Sequence, residues 1–92
     1  MRVLHVKLLN KSGLHARPAS VFIQTTKRHS SRIIIRKGNR EADGKNVLQI
    51  LSLGIDMGDE VDIIIDGEDE DVTAREVEDL IKSLPALDES HG

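Results

Sequence analysis

The chain predicts an α+β fold, an open-faced β-sandwich with a four-stranded antiparallel sheet and three helices on one face, ordered β-α-β-β-α-β-α. Three observations lead there. Apolar and polar residues alternate near positions 2–9, 31–37 and 60–66, the period of half-buried strands. Between and after these stretches the period lengthens to that of a helix. The helical apolar faces must then be covered, and one face of a sheet is the cover that this order of elements allows. The 92 residues make one domain, expected to span 1–84 with a flexible tail over 85–92.

Each element has its own justification. Arg2 to Leu9 reads as a strand with Leu4, Val6 and Leu8 on one face and His5 and Lys7 on the other. Asn10-Lys11-Ser12-Gly13 is a loop by composition. From about Ala16, Ala19, Phe22, Ile23 and Thr26 recur at helical spacing and form a buried stripe. Arg17, Ser20, Gln24 and Lys27 make a polar ridge on another side. Pro18 fits a first turn because the missing N–H would have lacked a helical partner anyway. The residue before a proline resists helical angles, so an irregularity is expected at Arg17.

Ser31 to Lys37 is a second strand, with Ile33 and Ile35 inward and Arg32, Ile34 and Arg36 outward. Gly38-Asn39 is a turn signal, and Arg40 to Asp43 reads as a short edge strand. Asn46 caps a short helix over Val47–Leu53 that is apolar on every side, and Gly54 stops it. Such a helix is either fully buried or presents an apolar patch. Glu60 to Asp66 alternates cleanly, with Val61, Ile63 and Ile65 inward. Ile34 and Ile64 are expected to pair on the outer face. The last helix carries Val77, Leu80, Ile81 and Leu84 on one face. Thr73 and Glu76 have capping-box spacing, although the acidic run ahead allows an earlier start. Pro85 is expected to end this helix and leave Ala86 to Gly92 frayed.

Composition narrows the function. The net charge is −3 and Phe22 is the one aromatic residue, which argues against nucleic-acid binding by a basic surface or by base stacking. Lys and Arg lie mostly before position 46 and Asp and Glu mostly after 55, so one end of the surface can steer an acidic partner. No apolar run suggests membrane insertion. The lack of cysteine excludes disulfides and fits a reducing, cytoplasmic setting.

The motif with chemistry is Gly13-Leu14-His15-Ala16-Arg17-Pro18-Ala19. First-turn N–H groups have no acceptor within their own helix, and the helix dipole places partial positive charge there. An imidazole at that point can carry a phosphoryl group whose oxygens meet those donors, near Ala16 and Arg17. The Arg17 guanidinium adds charge for the same oxygens. Alone, His-x-Arg-Pro is more often an ordinary helix start; the rest of the chain reverses those odds. His5, His29 and His91 show no metal-ligand spacing and read as solvated side chains, so neither a metal nor a cofactor is expected. The run Glu68 to Asp71 lacks the pattern of a calcium loop and is ascribed to a helix N-terminus.

Three signatures together resemble the HPr family of histidine-containing phosphocarriers of the bacterial phosphoenolpyruvate-dependent phosphotransferase system. They are the His15 motif, Leu51-Ser52-Leu53-Gly54, and Gly58 followed by the last strand and Gly67-Glu68-Asp69-Glu70. The resemblance implies an HPr-like fold and a phosphocarrier rather than a turnover enzyme. His15 would take a phosphoryl group on Nδ1 from phospho-enzyme I and pass it to EIIA-type acceptors. It also implies a docking patch of Val47, Leu48 and Leu51, with Ser20, Gln24 and Lys27 beside it, while Ile50 and Leu53 enter the core. The acting unit would be a monomer. Many relatives carry a regulatory serine at the cap of the short helix, where Asn46 stands here; Asn46 keeps the cap but cannot accept phosphate. That departure suits a sugar-pathway carrier, a carrier of the nitrogen branch, or an interaction module switched by His15 phosphorylation.

Overall fold

The seven elements follow the expected order in a computed structural model that describes residues 1–90. Strands β1 (Arg2–Lys7), β2 (Arg32–Lys37), β3 (Arg40–Asp43) and β4 (Glu60–Asp66) form one antiparallel sheet. Its order is β1-β4-β2-β3, which makes β1 and β3 the edges. Helices α1 (Ala16–Thr26), α2 (Val47–Ser52) and α3 (Glu70–Ser90) pack with the inner face.

Period-two alternation determines which side chains meet. Ile33 and Ile35 sit opposite Ile65 and Ile63, and all four are buried. Phe22, Ile50, Val77 and Leu84 come down on them from the three helices, fully buried. On the outer face Val3, Ile64 and Ile34 line up across three strands, giving the expected Ile34–Ile64 pair. Polar pairs surround that row: His5 Nδ1 with Asp62, and Arg36 with Glu41 at 2.7 Å.

The last helix departs from expectation at both ends. It begins at Glu70, ahead of Thr73. Thr73 is therefore interior, and its hydroxyl donates to the Asp69 carbonyl at 2.8 Å. At the other end α3 does not stop at Pro85 but continues to Ser90, so residues 86–90 are helix rather than a frayed tail. Proline inside a helix removes one backbone donor and crowds the preceding turn. Here tertiary contacts outweigh that cost: Leu84 is fully buried, Leu87 packs against the core, and Asp88 is bonded to the loop after β1.

Two carboxylates hold the connections. Asp69 accepts from the Ser31 hydroxyl and from the backbone N–H groups of Ser30 and Ser31, and the His29 ring faces it; these donors, the Ser31 hydroxyl foremost, hold its carboxyl well below the usual range. Asp59 is lowered as well, first by the Asp56 N–H and then by Lys37. A carboxyl whose folded-state pKa is depressed stabilises the fold above its unfolded value and loses that contribution as pH falls through the folded value. The contribution of these two carboxyls should therefore be constant near neutrality and decline below about pH 4. An Asp69→Asn variant should show a weaker decline in thermal unfolding measured against pH; an unchanged acid limb would refute the assignment.

Candidate functional site

The site is built on the loop between β1 and α1. Asn10 is buried in it, and its side-chain amide donates to the Gly13 carbonyl at 2.8 Å and to Asp88 Oδ2 at 3.0 Å. Asp88 also accepts from the Ser12 N–H at 2.9 Å and from the Ser12 hydroxyl at 3.2 Å. The far end of α3 thus clasps this loop. From the other side, the Leu14 N–H donates to the Ile55 carbonyl at 3.0 Å. Gly13 lies so close to residues 55 and 56 that a β-carbon on it would sit 2.2 Å from the Ile55 oxygen.

These contacts deliver His15 to the start of α1. Its backbone is extended and occupies the N-cap position, but its side chain does not cap the helix. The ring is 37% exposed. Nε2 lies 2.8 Å from Oδ1 of Asp56. Ala16 follows with φ +51, the one positive φ at a non-glycine among the described residues. The irregularity expected at Arg17 is therefore one residue earlier. A left-handed alanine costs about 1–2 kcal/mol, and such strain persists where surrounding structure over-determines the backbone. Here the loop contacts before it and the buried Pro18 and Ala19 after it provide that constraint.

Arg17 is exposed next to His15, on the first turn of α1. Ser20, Gln24 and Lys27 are exposed further along the same helix. α2 divides as expected: Ile50 and Leu53 are buried, while Val47, Leu48 and Leu51 reach solvent, Leu48 by 74%. The Asn46 side chain caps α2 by accepting from the Gln49 N–H at 3.2 Å. The structure thus brings together an exposed imidazole, a guanidinium-bearing helix start, a polar ridge and a short apolar patch.

The other histidines differ from one another. His5 is exposed on the outer sheet face. His29 is not solvated: its ring is 10% exposed, with Nδ1 3.3 Å from Asp69 and Nε2 against Glu76. His91 lies outside the described residues. The acidic run is only partly a helix-terminus effect. Glu70 and Asp71 occupy the first turn of α3, but Asp69 ties down Ser30 and Ser31, and Glu70 also binds the chain's amino terminus at 2.8 Å. Asp56 and Asp88 were not anticipated at the site. The one local signal for Asp56 is a polar residue within the glycine-flanked Gly54–Gly58 turn.

Comparison with known proteins agrees with this geometry. The family model described as the PTS HPr component phosphorylation site matches residues 4–83. The phosphocarrier protein HPr of Borreliella burgdorferi is 37% identical over 86% of this chain and 90% of its own length. The HPr-like protein Crh of Bacillus subtilis is 37% identical over 71% of this chain and 76% of its own. A crystal structure of HPr from Thermoanaerobacter tengcongensis aligns with a TM-score of 0.90 at 37% identity, covering 94% of this chain and 97% of that one. The fold, the His15 motif and these matches agree, and the chain belongs to the HPr family of phosphocarriers.

Proposed function

We propose that His15 accepts a phosphoryl group from the phosphohistidine of enzyme I and passes it to EIIA-type acceptors, so that the chain is a carrier and not a turnover enzyme. The observation that carries this reading is the exposed His15 imidazole at the start of α1, followed two residues on by Arg17. Phosphoryl transfer asks the carrier for position and charge stabilisation more than for covalent work of its own. The first-turn N–H groups near Ala16 and Arg17 and the Arg17 guanidinium supply both to the anionic oxygens of the group in transfer. Asn46 offers no hydroxyl to a kinase, so control by phosphorylation at that cap is absent from this reading. The reading takes the acting unit to be a monomer in the cytoplasm.

The test mixes the chain with phosphoenolpyruvate, magnesium and enzyme I. One acid-labile phosphate per chain is expected, and none on His15→Ala. Arg17→Ala should remain folded and transfer at least about tenfold more slowly, the loss of roughly one charge-assisted hydrogen bond. A wild-type chain that takes no phosphate would end the reading. The likeness to Crh, described as a Bacillus subtilis catabolite repression protein, favours one alternative: an interaction module switched by phosphorylation. Adding a panel of EIIA proteins from the sugar and nitrogen branches separates these, because a module would bind without passing phosphate on.

Docking is assigned to Val47, Leu48 and Leu51, flanked by Ser20, Gln24 and Lys27. An exposed apolar patch on so short a helix leaves its area available to a partner. Leu48→Glu should weaken enzyme I binding about tenfold or more with no change in thermal midpoint, since truncating or charging a central interface residue commonly costs over 1 kcal/mol. Titration calorimetry and a melt on the same sample check this; unfolding instead would mean that the side chain is structural.

A further inference from the structure

We propose that Asp56 is a positioning residue for the phosphoacceptor: it fixes the tautomer of His15 and holds the ring proton while phosphate arrives and leaves. This rests on the phosphocarrier reading above. A carboxylate can only accept hydrogen bonds. The 2.8 Å contact between Asp56 and Nε2 therefore requires hydrogen on Nε2. In the neutral imidazole the lone pair is then on Nδ1, which has no hydrogen-bond partner among the described residues. The nucleophilic nitrogen is selected by the carboxylate on the opposite side of the ring.

Asp56 is itself held in place. Its N–H donates to Asp59 Oδ2 at 2.7 Å, and Asp59 is paired with Lys37 at 2.9 Å. Lys37 also donates to the Gly54 carbonyl at 2.7 Å, closing the turn that carries Asp56. The absence of a β-carbon at Gly13 lets the His15 loop approach the backbone of residues 55 and 56. Thus the turn and the loop are registered against each other before any donor arrives.

The transfer step balances on these atoms. The Nδ1 lone pair attacks phosphorus as the donor's N–P bond breaks, and that bond's electrons return to the donor imidazole. The Nε2 proton stays on the ring, which becomes a phosphoimidazolium beside the Asp56 carboxylate. Onward transfer reverses the sequence: the Nδ1–P bond breaks and the neutral Nε2–H ring is left. A carboxylate at Nε2 stabilises the charged ring in both directions, as in a histidine oriented by a buried aspartate. Because Asp56 is largely exposed, the benefit is moderate.

Nitrogen-15 spectra of histidine-labelled protein test the hold on the ring without any phosphate. In the neutral ring, the wild type should show Nε2 protonated and Nδ1 bare. Asp56→Ala should move both resonances toward the mixed tautomers of free histidine, whereas Asp56→Asn, which keeps an acceptor, should move them less. With phospho-enzyme I, Asp56→Ala should be slowed about twofold to fivefold in both forward and reverse transfer. Asp56→Asn should fall between it and the wild type. Identical nitrogen spectra in the wild type and Asp56→Ala, or equal transfer rates, would overturn the proposal. A wild type with Nε2 protonated that accepts no phosphate would instead remove the phosphocarrier reading and leave the hold on the ring standing.

Discussion

A single methyl group added at Gly13 is expected to cost about 2–5 kcal/mol, combining a left-handed penalty with overpacking. Gly13 has φ +58, where a side chain is strained whatever the space around it. The space is missing too, because the new carbon would lie 2.2 Å from the Ile55 oxygen and 2.8 Å from the Asp56 Cα. Backbone atoms cannot swing aside as the end of a side chain can, so the loop and the 54–59 turn must separate. That movement stretches the Leu14–Ile55 hydrogen bond and carries His15 away from Asp56. Urea unfolding of Gly13→Ala should show a large drop in midpoint, and phosphoryl acceptance should fall with it even under conditions where the variant is folded. A midpoint within error of the wild type would mean that this approach of two backbones is not needed.

Phe22→Ala is the second large effect. Phe22 is fully buried and is the only phenylalanine, tyrosine or tryptophan in the chain, set on α1 one turn beyond Pro18 and Ala19. Truncating a buried phenylalanine typically costs about 3–5 kcal/mol, through lost transfer energy and the cavity left behind. A domain of this size has only about 5–15 kcal/mol in total. The variant should therefore retain helical far-ultraviolet signal only at low temperature and melt tens of degrees earlier or with poor cooperativity. Its failure would be global, whereas that of Gly13→Ala begins at the site. Calorimetry that returned a wild-type transition would mean that the helices can collapse onto the void.

What the sequence makes legible is what local periodicity encodes. The alternation of Val61, Ile63 and Ile65 specifies a strand and its inner face, and the spacing of Ala19, Phe22 and Thr26 specifies a helix and its stripe. The division of α2 into a buried Ile50 and an exposed Leu48 follows because a short helix on one side of a sheet cannot bury its whole circumference. The surprises are contacts made across the fold. Asp88 meets Ser12 and Asn10 from the opposite end of the chain, and this partnership, with Leu84 and Leu87, carries α3 past a proline. His29 reads as a solvated side chain until the fold brings Asp69 and Glu76 to it. Asp56 reaches His15 only because glycine at 13 permits close approach. Alanine has no intrinsic preference for the left-handed region, so nothing in the residue type itself announces the conformation of Ala16.

The order of strands has a consequence for how the molecule is made. As the polypeptide leaves the ribosome, β1 emerges before the other three strands, yet its sole strand neighbour among the described residues is β4, with Lys7 opposite Glu60. Closing that pairing means paying the entropy of a long loop before any ladder bond repays it, which slows folding relative to a helical bundle. The turn bearing Asp56 directly precedes β4, so it arrives with the strand that secures β1. A nascent chain cut short before that point would display the histidine motif with neither its sheet nor its carboxylate partner, and competence would be reached late and all at once.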